Sequence, residues 1–225
     1  MKTLFPKQED AHRFFTITQR QGHNTLDTSD AGTGKTVVAA ALAKSLGHPV
    51  AVLCPKQVIP SWERELKDMG VDPLFVINYE KIRGGRTKWM TKSGKKIMKW
   101  MLPMGTLLLV DEIHKCKGPY TQNAQIVLSL VNQGYQIHGM SATAAEDPTE
   151  MRSLGYMLKL HSLNKADKPL RSWYSWMTRL GCEKDFWNQW RLTKKSKLKD
   201  LRESMYGIST DRLSVQDLPD AFKEN

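Results

Sequence analysis

Residues 29–36 read SDAGTGKT, between NTLDT on one side and VVAAALAKSL on the other. Gly32 and Gly34 supply turn geometry that a side chain would obstruct. Lys35 and Thr36 close the loop, and an Ala-, Leu- and Val-rich helix begins there. Consecutive backbone N–H groups and a helix N-terminus facing one point make a cradle for an anion. In that reading Ser29, Asp30, Ala31, Gly32, Thr33 and Gly34 line the phosphates, Lys35 reaches the β- and γ-phosphates, and the Thr36 hydroxyl holds Mg²⁺. The usual pattern opens with Gly, and this chain has Ser29 there. A Gly-rich turn before an ordinary helix would look the same locally, so the surrounding chain must decide.

The second strong signal is GTLLLVDEIHK, 105–115. Thr106 to Val110 is a continuous apolar strand that delivers Asp111 and Glu112 to its carboxyl end, where open α/β sheets place their ligands. An Asp there can hold the Mg²⁺ of a bound nucleotide through water, and the Glu beside it can polarise an attacking water. His114 follows two residues on. Acid pairs after strands are common as helix caps, but this one comes 75 residues after the GKT.

Between the two signals the pattern alternates. An amphipathic helix is expected after Pro6, carrying Phe14, Phe15 and Ile17. Gln8 lies on it, and its amide could read an adenine edge because it both donates and accepts. NTLDT is a short extended entry to the loop, and Val37–Leu46 a helix ended by Gly47 and Pro49. PVAVLCP (49–55) is a buried strand, Ile59–Met69 a helix with Trp62, Leu66 and Met69 on one face, and PLFVINYE (73–80) another strand. This βαβαβ order argues for a parallel sheet with helices on both faces. Gln122–Val131 is expected as a helix and YQIHGMSAT (135–143) as a further strand. It ends in Ser141 and Thr143, which could sense a γ-phosphate or bridge to a nucleic-acid face.

Residues 81–100 contain eight Lys or Arg and no acid, with Trp89 and Trp100 interleaved. A basic hairpin or two short helices fit. The stretch is a candidate for phosphate-backbone contact, or equally a solvated insertion whose tryptophans tuck into the core. The segment after 150 reads as mostly helical: TEMRSLGYMLKLHSL, KPLRSWYSWMTRLG, CEKDFWNQW and KLKDLRESMYG. It holds 15 Lys/Arg against 9 Asp/Glu, a net of +6. Its Trp173, Trp176 and Met177 stripe has helical spacing and reads as packing.

The 225 residues suit one large or two small domains, and the formal net charge of +11 points to an anionic partner, most often nucleic acid. Three cysteines, none in a CxxC, indicate neither a disulfide framework nor a zinc knuckle, and a reducing cytosol is the simplest home. No apolar run approaches the roughly 18 residues of a spanning helix, so no membrane association is expected.

Taken together, LFPKQ, SDAGTGKT, VLCPKQVIPSWERELKDM, VINYEKIR, LLLVDEIHKCKG and GMSATAAEDPTEMRSL resemble the first RecA-like domain of superfamily-two helicases and translocases. The CP…W..E and YE.(L/I)R blocks, with LRESMYGISTDRLSVQDLP, resemble the Snf-type, chromatin-remodeller-like branch with its phage and bacterial members. The likeness is close for 4–151 and loose for 152–219. It implies an α/β, RecA-like P-loop NTPase domain over 1–150, with a parallel sheet flanked by helices. Residues 151–225 become a basic, mostly helical C-terminal extension leading towards a second RecA-like domain, from the parent chain or a separate polypeptide. It further implies ATP and Mg²⁺ as cofactors, DNA as partner (duplex favoured over single strand), and a cytoplasmic setting in a bacterial or phage-infected cell. Gln8 matches the adenine-reading Gln, Lys35 and Thr36 the phosphate and Mg²⁺ residues, Asp111 and Glu112 the metal and water-activating acids, and His114 the coupling residue. Lys56, Trp62 and Tyr79, with Lys81, Arg83, Arg86 and Lys88 of the basic stretch, are the expected nucleic-acid contacts. The chain departs from the family pattern at Ser29, at DEIH in place of DEAH, which is harmless if Ile113 faces the core, and at SAT, where Snf-type proteins usually have Gly-Thr-Pro. The implied activity is that of an ATP-binding half of a DNA-dependent ATPase, slow without the second domain. The other reading is a nucleotide-binding interaction module without turnover.

Overall fold

The computed structural model describes residues 3–93, 97–118, 120–143, 147–163 and 171–218. In chain order the elements are α1 (Pro6–Arg20), β1 (Thr25–Asp27), α2 (Lys35–Leu46), β2 (Val50–Cys54), α3 (Ile59–Met69), β3 (Phe75–Asn78) and α4 (Tyr79–Arg83). They continue with β4 (Met90–Ser93), β5 (Ile97–Trp100), β6 (Leu107–Asp111), α5 (Gln122–Asn132), β7 (Gln136–Met140) and α6 (Arg152–Met157). Last come α7 (Trp173–Arg179), β8 (Cys182–Lys184), β9 (Trp190–Leu192), α8 (Leu198–Met205) and β10 (Thr210–Asp211).

Six strands form one sheet in the order β10-β1-β7-β6-β2-β3, with every neighbouring pair parallel. A parallel strand buried on both faces reads as an unbroken apolar run, as VAVLC and LLLVD do. Alternate residues serve opposite faces. Val50, Val52, Cys54, Leu107, Leu109 and Met140 pack with Phe15 of α1, the alanine-rich α2, and Trp62 and Leu66 of α3. Ala51, Leu53, Leu108, Val110 and Ile137 pack with α5, α6, α7 and α8. Because all six strands run the same way, every strand–helix connection leaves from one carboxyl edge.

The basic stretch resolves into α4 followed by the β4–β5 hairpin, with residues 94–96 outside the described part. Met90, Met98 and Trp100 are buried in the core, and the Trp100 indole N–H donates to Ser129 Oγ at 2.8 Å. The hairpin is therefore anchored through its apolar face.

The helical reading of the extension holds for α6, α7 and α8 and changes at two places. CEKDFWNQW, expected as a helix, is the antiparallel hairpin β8–β9. Thr210–Asp211, expected within an extended exit, is the edge strand of the main sheet and pairs with Leu26 and Asp27. Trp173, Trp176 and Met177 are buried, as the spacing predicts.

Candidate functional site

The segments that follow the six parallel strands leave from the carboxyl edge of the sheet. The first is 28–34, between β1 and α2. Gly32 and Gly34 sit at φ 81° and 83°, in the left-handed region that a Cβ disfavours. Space around Gly32 is open, whereas a Cβ on Gly34 would lie 2.5 Å from Gln8 Nε2. Lys35 Nζ donates to the carbonyls of Ser29 and Asp30, both at 2.8 Å, so the ammonium rests inside the turn. Gln8 is buried; its Nε2 donates to Thr33 O at 2.8 Å and its Oε1 accepts from Phe5 N at 3.0 Å. Its amide thus braces the loop from α1.

Beneath the loop lies Asp27, which sequence reading missed. Its Oδ1 accepts from Ser29 N at 2.9 Å. Burial raises its pKa, against the Ser29 hydrogen bonds and the Lys35 charge that lower it. The only sequence signal was its place as the last strand residue before the loop.

β6 presents the acids. Asp111 Oδ2 accepts from the Trp62 indole N–H at 2.9 Å, and Oδ1 accepts from Glu112 N at 2.9 Å. Burial raises the Asp111 pKa; the Trp62 bond and the charge of Lys35 pull the other way. Asp27 of β1 and Asp111 of β6 both pair with Met140 of β7, so the two motifs leave the same sheet edge two strands apart. Glu112 takes the left-handed conformation at φ 51°, turning the chain sharply after the strand. Its Oε2 lies 3.0 Å from His114 Nδ1, which is 2.9 Å from Ser141 Oγ, which accepts from Thr143 N at 3.3 Å. Glu112, His114 and the SAT block are therefore physically connected. Ile113 is fully buried, and a Cβ on Gly139 of β7 would lie 2.5 Å from its Cδ1. The DEIH departure is a core substitution that Gly139 accommodates.

Two expected nucleic-acid contacts are corrected. Trp62 is 0% and Tyr79 1% exposed. Tyr79 donates its hydroxyl to the Asp111 carbonyl, as Trp62 donates to the carboxylate. Neither ring has a face for a nucleic acid; both hold Asp111 in place. The remaining basic candidates are on the surface. Lys56 follows β2 and is exposed, Lys81 is exposed on α4, and Arg83 pairs with Glu80 at 3.0 Å. Arg86 is exposed, and Lys88 lies 4.9 Å above the Trp89 ring.

Ser29 has a specific partner. Its buried hydroxyl accepts from Leu213 N at 2.9 Å, while Asp30 N donates to Leu213 O at 2.9 Å. Arg212 pairs with the Asp30 carboxylate at 2.9 Å, and Thr28 Oγ1 meets Asp211 O at 3.2 Å and the Tyr206 hydroxyl at 2.9 Å. The segment after β10 therefore clamps the 28–34 loop, and Ser29 is one jaw of that clamp. Among the described residues no cluster of three His, Cys, Asp or Glu could hold a metal, and no helix is long and apolar enough to cross a membrane.

No family model matches the chain. A protein of Acanthamoeba polyphaga mimivirus, named a "putative ATP-dependent RNA helicase", is 32% identical over 154 residues, which is 59% of this chain and 29% of that protein. The Sulfolobus solfataricus SWI2/SNF2 ATPase core domain superposes over 98% of this chain and 46% of its own, with TM-score 0.65 and 18% identity. The same core in complex with dsDNA covers 97% of this chain and 47% of its own, with TM-score 0.59 and 19% identity. The chain thus spans less than half the length of each of these proteins. It has the RecA-like α/β fold of the SWI2/SNF2 ATPase core.

Proposed function

We propose that this chain is the ATP-binding half of a DNA-dependent ATPase of the Snf helicase/translocase type, in which nucleotide turnover drives movement on or remodelling of DNA. The observation that carries the reading is the shared register at one edge of a parallel sheet: Asp27, which leads into the Lys35 loop, and Asp111 both pair with Met140 of β7, so the loop and the acids leave the same edge two strands apart. Support also comes from the SWI2/SNF2 fold, one example of which was solved with dsDNA, and from the helicase-named viral relative.

The residues fit a Mg²⁺-nucleotide. The open space at Gly32 and the left-handed Gly34 leave the loop N–H groups free of side-chain obstruction. Thr36 in the first turn of α2 and Asp111 across from it supply hard oxygen ligands of the kind Mg²⁺ takes. When bound, Mg²⁺·ATP supplies the electrophilic γ-phosphorus. Lys35 would exchange the Ser29 and Asp30 carbonyls for phosphate oxygens, trading neutral acceptors for charged ones. Glu112 would orient and polarise a water for in-line attack. His114, tied to both Glu112 and Ser141, would report the state of the acid to the SAT block. Lys56, Lys81, Arg86 and Lys88 are exposed cations suited to backbone phosphates. Residues 1–150 carry the ATP site, 151–225 lead towards a second RecA-like domain, and the β10 clamp stitches the two together. That second domain, supplied from the same or another polypeptide, would close the cleft, so turnover by this chain alone is slow. The setting is cytoplasmic.

Glu112→Gln tests the reading. With the second domain added, it should retain ATP and abolish DNA-stimulated turnover. Unchanged turnover in Glu112→Gln, or its absence in wild type with the second domain and DNA present, would leave a nucleotide-binding interaction module as the better account.

A further inference from the structure

A second hollow of about 800 Å³ opens beside the sheet, outside the phosphate loop. Tyr120 and Glu150, from the segments that follow β6 and β7, form one wall; Trp173 and Tyr174 of α7 with Lys184 and Trp190 of the β8–β9 hairpin form the other. Its volume lies within the range of ligand pockets, about 300–1,000 Å³.

The rings form a continuous row. Centroids are 6.5 Å apart for Tyr120–Trp173, 5.1 Å for Trp173–Tyr174 and 5.8 Å for Tyr174–Trp190. The Tyr120 and Tyr174 hydroxyls meet at 3.1 Å and tie the two walls. Cations already stand over the row: Arg152 is 5.2 Å from the Tyr120 ring and Lys184 5.7 Å from the Trp190 ring. Nearby acids are matched, Glu150 by Lys117 at 2.9 Å and Asp185 by Arg191 at 2.6 Å. Trp173 is 5% exposed, and its indole N–H has no acceptor among the described residues. At the hairpin tip Phe186 and Trp187 are 93% and 75% exposed and contact each other.

This chemistry selects its ligand. A cationic ligand of the quaternary-ammonium kind would be repelled by Arg152 and Lys184, which stand 5.2 and 5.7 Å from the Tyr120 and Trp190 rings. What the row accepts is a flat π-system that carries negative charge. Aromatic rows edged with cations stack successive bases of single strands. A duplex keeps its base faces covered and cannot use the row.

We propose that this hollow binds unpaired bases of a single-stranded nucleic acid, stacked along Tyr174 and Trp190, with Lys184 beside a flanking phosphate and the exposed Phe186–Trp187 tip of the same hairpin meeting the next base along the strand. The site goes beyond the nucleotide cleft and needs no ATP.

Fluorescence anisotropy on the 225-residue chain, at one fixed salt concentration, tests it. The probes are a labelled short oligothymidine, the same strand with abasic positions, and a duplex of equal length. Wild type should bind oligothymidine about 5- to 150-fold more tightly than the abasic strand, the range expected for stacking one base. Trp190→Ala should erase that preference and Trp190→Phe should keep most of it. Trp187→Ala, at an exposed tip with no role in the core, should weaken oligothymidine at least threefold if Trp190→Ala fails to fold. Duplex affinity should change less than twofold in each, and Lys35→Ala should leave oligothymidine binding as in wild type, separating this site from the ATP reading. Equal affinity for oligothymidine and abasic strand, equal losses on single strand and duplex, or a Trp190-dependent affinity for a proline-rich peptide with none for oligothymidine would each overturn the proposal.

Discussion

Trp62→Phe separates the buttress role of this residue from the nucleic-acid role that its sequence block suggested. The indole is fully buried and gives its N–H to Asp111 Oδ2 at 2.9 Å. Phenylalanine keeps the aromatic body, removes the donor and leaves a small void. A hydrogen bond to a charged group contributes about 1.5–3 kcal/mol. The smaller ring adds about 1–2 kcal/mol of lost transfer and cavity energy, scaled down from full truncation to Ala. The combined loss is about 2.5–5 kcal/mol, against about 5–15 kcal/mol for a folded domain. At about 2–4 °C per kcal/mol for a chain of this size, the melting midpoint should fall by about 5–20 °C. Losing the donor also removes the hydrogen bond that lowers the Asp111 pKa. The carboxyl will therefore titrate higher, and Mg²⁺·ATP binding at mildly acidic pH should weaken more than at pH 8. Calorimetry gives the midpoint and nucleotide affinity, and anisotropy gives DNA affinity. DNA affinity lowered tenfold with an unchanged midpoint would refute the buttress and restore the direct contact.

Two further outcomes follow from buried groups. His138 and His161 are buried, and burial depresses their pKa from 6.5 to about 3 and about 4. A depressed histidine contributes stability that is full above the unfolded value and is lost as pH falls below it. From about pH 7.5 to about pH 5 each should cost about 2 kcal/mol and the pair about 4, with His138→Gln removing about half of the slope. Asp27 and Asp111, with raised pKa values, act in the opposite sense, in the window above 3.8; urea titrations that show no loss between these pH values would contradict the assignment. Ser29→Gly restores the usual first residue of the loop but leaves the Leu213 N–H without its acceptor. An unmet buried donor costs about 1–3 kcal/mol, so hydrogen exchange at Leu213 should accelerate about 5- to 150-fold while ATP affinity changes less than threefold. Unchanged exchange would remove Ser29 from the clamp.

Much of the architecture was legible because it is written in local pattern. VAVLC and LLLVD are apolar without interruption because parallel central strands are buried on both faces. Ile59–Met69 was bounded correctly because Pro60 sits at its start and Gly70 stops it. The left-handed turn at Gly32 and Gly34 and the place of Asp111 at the end of its strand were legible because glycine conformation and the carboxyl-edge rule act over a few residues. Trp62 and Tyr79 were misread because an aromatic ring with a polar tip looks the same whether it points to solvent or to a buried carboxylate. The β8–β9 hairpin was missed because CEKDFWNQW has no helical or alternating period of its own; Cys182–Leu192 and Lys184–Trp190 pairing settles it. β10 is two residues long and is defined by partners about 180 positions away, at Leu26 and Asp27, which no local pattern can reveal. The clamp on Ser29 is lost to sequence reading for the same reason.

The central claim is that the loop at 29–36 binds ATP through Lys35 with Asp111 sharing the metal. Isothermal titration of the chain with ATP in the presence of Mg²⁺, beside Lys35→Ala and the same titration in EDTA, addresses it most directly. Binding should be saturable and one-to-one and should weaken at least tenfold in Lys35→Ala and without Mg²⁺. No binding to wild type, or binding that neither change affects, would contradict it.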